Sequence, residues 1–372
     1  MKLFRKLHLW LSLPFGLIMS ITCFTGALLV FEKEITEMIC SDLYRVEIVN
    51  GQEIELDVLA HDVSQDLADD IQITGVSISD DPSRTYQFSI SKPSRTSLYV
   101  DQYTGEVKGM SKRLSFFQTV FKLHRWLMGK PINDDGKMGF GKLVIGISTL
   151  LFVIVLITGV IVWMPRNKAM LKSRFKITFS KGWRRFYYDL HVAGGIYAVL
   201  ILLALSLTGL TWSFSWYKKA FYKALGTEVV ERPRGGRQGK SVSTADFSQW
   251  QKVYDELAVR NPEYSRISIS NGEAQVYFDR WGNQRASDTY IFDTSTGEIT
   301  EFTPYKSLEK SRKVGGLIYS IHVGTWGGLL SRLLTFFAAI FGSTLPLTGY
   351  FLWIKRRFFS KNKYKPQYLR SF

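Results

Sequence analysis

Residues 7–26 read LHLWLSLPFGLIMSITCFTG, and residues 190–209 read LHVAGGIYAVLILLALSLTG. Each stretch opens on Leu-His, closes on Thr-Gly and holds no Asp, Glu, Lys or Arg. The His-to-Thr interval is 17 residues in both, at an offset of 183. An accidental apolar run does not keep the same polar spacing twice, so the chain is an internal repeat. Four runs lack charged residues altogether: Leu9–Phe31, Leu143–Trp163, Val192–Trp216 and Leu333–Ile354, of 23, 21, 25 and 22 residues. A helix of about 20 residues crosses a hydrocarbon core of about 30 Å. The sequence therefore predicts an α-helical membrane protein with four transmembrane helices in two parallel pseudo-repeats. It excludes a single soluble domain.

Spans two and four share a different ending, Thr158-Gly159-x-x-x-Trp163-x-x-Arg166 and Thr348-Gly349-x-x-x-Trp353-x-x-Arg356. Charge sets the orientation. The 372 residues carry 48 Lys+Arg and 32 Asp+Glu, a net charge of +16. Residues 166–185 hold eight Lys/Arg and no acid, and the two termini add ten more basic residues. With Asp189 these segments total +17, which leaves the two long loops at −1. Basic segments beside spans stay in the cytoplasm, so both termini and the 166–185 loop are expected inside and the long loops outside. The excess charge lies beside lipid and has no reader motif with it, so anionic headgroups rather than nucleic acid are the expected partner. The N-terminal apolar run is too long for a secretion signal and has no small-residue cleavage site, so it reads as an uncleaved anchor. Cys23 and Cys40 are too few for a disulfide framework or a cysteine-rich metal cluster.

The long loops repeat as well. Asp101 to Glu106 and Asp293 to Glu298 both read Asp-x-x-Thr-Gly-Glu after an aromatic strand. Alternating residues and Gly turns predict hairpins, each loop opening on a helix (Asp57–Asp69; Ser248–Arg260) and forming a small α+β domain. The Asp of each motif reads as a turn anchor rather than as an acid–base group. Residues 32–106 are acidic, with 16 Asp/Glu against five Lys/Arg. The second loop carries Arg232, Arg234, Arg237 and Lys240 among Pro and Gly, read as a loop.

Of five histidines, His61 reads as a surface residue and the other four mark span ends. His8 and His191 stand at the cytoplasmic ends of spans one and three. His124, on a short interfacial helix (Leu114–Leu127), and His322 precede spans two and four on the outer side. Polar groups at membrane depth are costly and face a bundle interior. Two repeat-related pairs, each at one depth, point to two shared ligand sites. Zn²⁺ needs three or four protein ligands, and two imidazoles with no Cys or carboxylate in the neighbouring turns do not meet that need. A porphyrin brings four nitrogens and leaves two axial positions, so the pairs predict two bis-His b-type haems. Without Cys-x-x-Cys-His, covalent attachment is excluded. A 17-residue helical interval is about 26 Å, which puts Gly26 and Gly209 at the depth of His124 and His322. By the same count Gly159 and Gly349 lie at the depth of His8 and His191. These four glycines are expected to admit a macrocycle, or to serve helix packing with Thr bonding across the bundle. Arg125, and Arg184 with Arg185, are candidate propionate partners.

The boundaries that follow are 1–32 for span one, 33–112 for the first outer domain, and 113–165 for the interfacial helix and span two. Residues 166–186 form a cytoplasmic loop, 187–216 span three, 217–318 the second outer domain, 319–357 span four and 358–372 a tail.

Leu7-His8-x-Trp10, Leu123-His124-Arg125-Trp126, Asp189-Leu190-His191, Ile321-His322-Val323-Gly324 and the Thr-Gly-x-x-x-Trp-x-x-Arg endings resemble the PepSY-associated transmembrane helix family along nearly the whole chain. The resemblance implies two periplasmic PepSY-like α+β domains, a bacterial inner membrane and a place among ferric-siderophore reductases holding two haems. Some relatives carry a fused flavin/NADPH domain. Only about 16 residues follow span four here, so electrons are expected from a separate cytoplasmic or quinol donor, with a ferric siderophore or other ferric chelate as acceptor. The alternative is a haem-free, membrane-anchored protein whose outer domains bind a peptide, a protease or a siderophore. An ion transporter is disfavoured, since no span holds an acidic residue.

Overall fold

The computed structural model describes residues 2–359 except 48, 50, 94, 95, 112, 134, 135, 166 and 231–244. The basic run Arg232–Lys240, Arg166 and residues 360–372 of the C-terminal tail lie outside the described residues. In chain order the principal helices are α1 (Lys2–Val30), α2 (Leu56–Gln65), α3 (Ser115–Trp126), α4 (Phe140–Trp163), α5 (Gly182–Ser213), α6 (Trp250–Arg260), α7 (Lys310–Val323) and α8 (Gly328–Phe358). The strands are β1 (Ile73–Ser79), β2 (Tyr86–Ile90), β3 (Thr96–Val100), β4 (Val107–Met110), β5 (Arg266–Ser270), β6 (Glu273–Tyr277), β7 (Ser287–Phe292) and β8 (Ile299–Thr303). Four helices, α1, α4, α5 and α8, are long and apolar enough to cross a membrane. The chain divides into a helical unit (residues up to Val30, Thr119–Ser215 and from Arg332 on) and a sheet unit (Phe31–Gln118 and Trp216–Ser331).

In the helical unit small residues let the long helices approach, as they do where no aqueous hydrophobic force drives packing. A β-carbon on Gly342 would come within 2.7 Å of Leu202 and 3.2 Å of the Cys23 thiol, and one on Gly194 within 3.1 Å of Phe341. The apolar centre is Met19, Phe152, Leu156, Ala198, Val199, Leu202, Ala338 and Leu345. Three helices are irregular, α8 by Pro346 inside it. Pro14 lies inside α1 and removes one backbone donor. α5 contains a π-turn over Leu190–Gly194, a feature that recurs at functional positions. The short helix predicted to end at Leu127 stops where Leu127 and Met128 take left-handed backbone angles, φ 48° and 67°.

In the sheet unit the two long loops build one body where the sequence suggested two domains. Eight antiparallel strands run in the order β4-β3-β2-β1-β5-β6-β7-β8. At the seam β1 pairs β5, with Ser77 opposite Ser268 and their hydroxyls 2.8 Å apart. Strand alternation explains the layers: Tyr86, Phe88 and Ile90 are buried on one face while Gln87 and Ser89 point to the other. The buried face meets α2 (Leu56, Leu59, Val63) and α6 (Trp250, Val253, Leu257) in one continuous core shared by both halves. A half-sheet would leave the β1 or β5 edge unpaired and this core open, which is the physical reason the halves join. The Asp-x-x-Thr-Gly-Glu motifs are turns, as expected. Asp101 accepts from the Tyr103 and Thr104 amides, and Asp293 from those of Ser295 and Thr296. Gly105 and Gly297 supply φ of 75° and 71°, while Glu106 and Glu298 are exposed.

A histidine cradle built three times in the helical unit

His8 of α1 points its Nδ1 at the Val155 carbonyl, 3.0 Å away, with the Thr158 hydroxyl at 3.4 Å. His191, in the π-turn of α5, points Nδ1 at the Leu345 carbonyl at 3.1 Å and the Thr348 hydroxyl at 3.0 Å. His124 points Nδ1 at the Thr22 carbonyl at 2.9 Å and the Thr25 hydroxyl at 3.3 Å. In every case the receiving helix offers the carbonyl three residues before a Thr, then the Thr, then a Gly. At Gly26 and Gly159 the glycine makes room for the ring. A β-carbon would stand 3.0 Å from His124 Cε1 at Gly26, 3.2 Å from His8 Cε1 at Gly159 and 3.5 Å from His191 Cε1 at Gly349. The sequence reading offered these glycines to a macrocycle or to helix packing with Thr bonding across the bundle; at these three the nearest neighbour is the imidazole.

The local sequence explains the cradle. Each threonine hydroxyl folds back to its own helix, Thr25 onto the Ile21 and Thr22 carbonyls, Thr158 onto Ile154 and Val155, and Thr348 onto Thr344 and Leu345. Its proton is thereby spent, and its oxygen faces the ring as an acceptor. A carbonyl can only accept, so Nδ1 must carry the imidazole proton, which in His8 and His191 leaves Nε2 with its lone pair. That is how a metal-ligating histidine is oriented and made more basic by the group behind it. Thr208 bonds back in the same way, to Ala204 and Leu205, so Thr208-Gly209 has the local build of the other three.

His8 and His191 come together. Their ring centroids are 6.3 Å apart and their planes stand at 81°. Among the described residues no three His, Cys, Asp or Glu side chains gather to hold a bare metal ion. His124 belongs to the helical unit and His322 to the sheet unit. His322 lies in the last turn of α7, which ends on Gly324 at φ 81°. The β6–β7 loop clasps that helix on either side of His322. The Gln284 amide donates to the buried Ser320 hydroxyl, Asn283 packs against Gly316, and the Arg285 guanidinium lies 3.5 Å from the Tyr319 ring centre. The Gly282 amide bonds the Trp326 carbonyl. His61 is on the surface of α2, bonded to Gln65.

Two of the three candidate propionate arginines, Arg125 and Arg185, have other contacts. Arg125 lies over the Phe121 and Trp126 rings. Arg185 pairs with Asp189, a carboxylate only 2% exposed that also takes the Thr178 amide. Asp189 was read from the sequence as a charge and as part of the Asp189-Leu190-His191 motif; in the structure it pins the basic loop two residues before His191. The accepting carbonyls of Thr22, Val155 and Leu345 carry no sequence signal of their own. The Thr three residues later was the available cue.

A helical membrane unit with two histidine-bearing halves, joined in sequence to one antiparallel sheet, defines the class of protein. The family described as the PepSY-associated TM region matches residues 5–356, and the chain belongs to it. No curated protein matches the chain significantly.

Proposed function

We propose that this protein is a dihaem b oxidoreductase of the bacterial inner membrane that moves electrons across the bilayer to reduce ferric-siderophore or other ferric chelates in the periplasm. One observation carries the reading: the His8 and His191 rings are 6.3 Å apart, each with Nδ1 tied to a carbonyl. Two imidazoles on one iron, at about 2 Å per metal–nitrogen bond and about 1 Å more from each nitrogen to its ring centre, stand about 6 Å centre to centre. The residues present therefore fit a porphyrin iron. When bound, each haem supplies a one-electron couple. The chain's part is to present two oriented Nε2 lone pairs from helices packed around an apolar centre. The second haem falls to His124 and His322 by the repeat in the sequence, and the ready-made orientation of His124 supports that assignment. A ferric chelate suits as acceptor because hard oxygen ligands hold Fe²⁺ far less tightly than Fe³⁺.

The test is the visible spectrum of the purified protein with haem counted per chain. Two haems with a Soret band and sharpened α/β bands on reduction are expected. His8→Ala or His191→Ala removes one haem, and His124→Ala or His322→Ala the other. A colourless protein from haem-replete cells overturns the proposal.

A further inference from the structure

Tyr350 follows directly on Thr348-Gly349, the cradle of His191, and its side chain reaches out of α8 to α1. Its hydroxyl donates to the Leu13 carbonyl at 2.6 Å and accepts from the Leu17 amide at 3.2 Å. Both groups belong to a single i, i+4 rung of α1, and that rung flanks Pro14. Gly16 makes the approach possible, since a β-carbon there would stand 2.7 Å from the Tyr350 oxygen and 3.0 Å from Pro346. Leu13 is five residues beyond His8. One side chain thus ties the helix carrying His8 to the helix that holds His191.

The arrangement breaks the repeat. At the offset of 183 that relates His8 to His191, Pro14 corresponds to Tyr197 and Gly16 to Val199. Aligning Thr348-Gly349 with Thr158-Gly159 sets Tyr350 against Val160. None of these partners can form the same contact. Pro14 deprives the Trp10 carbonyl of its amide donor and loosens the helix locally; on the turn that follows, the Tyr350 hydroxyl holds both groups of the Leu13–Leu17 rung. Packing alone needs no hydroxyl at this point, yet this one meets both halves of the rung.

We infer that Tyr350 is a positioning residue that braces α1 against α8 at Pro14 and so fixes the His8–His191 separation before any cofactor enters. The inference rests on the haem reading for its effect on the pair, while the brace itself does not. Tyr350→Phe removes only the hydroxyl. In the full-length protein two readouts are taken. The first is amide hydrogen exchange across residues 11–18, with and without haem, which the brace predicts to be faster in the variant. The second is the pair of reduction potentials, with the His8/His191 haem identified by its disappearance in His8→Ala. Two axial imidazoles would donate charge to the iron and favour its ferric state, so a slackened pair raises that haem's potential. The expected size is about tenfold in its redox equilibrium, about 59 mV for one electron, with the other haem unmoved. Unchanged exchange overturns the brace whatever the spectrum. Faster exchange with both potentials unmoved overturns its role in setting the pair. Wild-type protein that never binds haem sinks the proposed function and with it the effect on potential, and exchange then decides on the brace alone.

Discussion

At Gly26 an added β-carbon would stand 3.0 Å from the ring of His124, at Gly159 3.2 Å from that of His8, and at Gly349 3.5 Å from that of His191. Only the last is ordinary van der Waals contact. Gly26→Ala and Gly159→Ala are therefore expected to displace their imidazoles at a cost of about 1–3 kcal/mol. Gly349→Ala should be nearly silent. Thermal unfolding together with haem per chain gives the ranking, and equal effects at all three positions would show that the glycines serve helix packing alone. A second residue-scale expectation concerns the buried phenols of the sheet unit. Burial, and then the Glu53 carboxylate that accepts its hydrogen bond, push Tyr86 far above the usual phenol range; burial does the same to Tyr254 and Tyr99. An unfolded phenol loses its proton near pH 10 while these keep theirs. Above that pH the unfolded state binds fewer protons than the folded one, so stability falls as pH rises. Denaturant midpoints between pH 9 and about 11 should fall, and Tyr86→Phe should flatten the slope.

Among the elements, α7 is held by the β6–β7 loop more closely than sequence periodicity suggests. A β-carbon on Gly316 would meet both the Nδ2 and Oδ1 atoms of Asn283 at 2.4 Å. Asn283 cannot retreat freely, because its amide donates to the Tyr305 hydroxyl and accepts from the Arg285 amide. Alanine is worth about 1 kcal/mol more than glycine in a helix interior, so a free helix would gain. Gly316→Ala should instead lose about 1–3 kcal/mol through overpacking. Adding Asn283→Ala should recover part of that loss, a coupling readable in a double-mutant cycle on the full chain. A stabilised single variant would show that the loop does not grip the helix.

For the whole molecule the decisive feature is the β1–β5 seam, where two sequence-distant loops complete one sheet. Ile269 is buried at that seam opposite Val76. Ile269→Ala should cost about 2–5 kcal/mol, and protection against hydrogen exchange should fall in β2 as well as in β7. Protection lost in the second half alone would mean that the halves fold separately.

Hydrophobic run length and a 17-residue His-to-Thr spacing made four membrane-length helices, the repeat and the His8–His191 pair legible in the sequence, because each depends on local composition or helical periodicity. The turn role of Asp101 and Asp293 was legible for the same reason: an Asp side chain caps amides only two and three residues away. Backbone acceptors were hidden, since every residue has a carbonyl and only packing selects Val155 or Leu345 for an imidazole. The joined sheet was hidden too. Alternation tells a strand which face to bury, but the choice of β5 as partner for β1 depends on which edges meet once the chain has folded. Tyr350 on Leu13 and Leu17 is a contact between residues more than 330 positions apart, and only tertiary packing brings such groups within a hydrogen bond of each other.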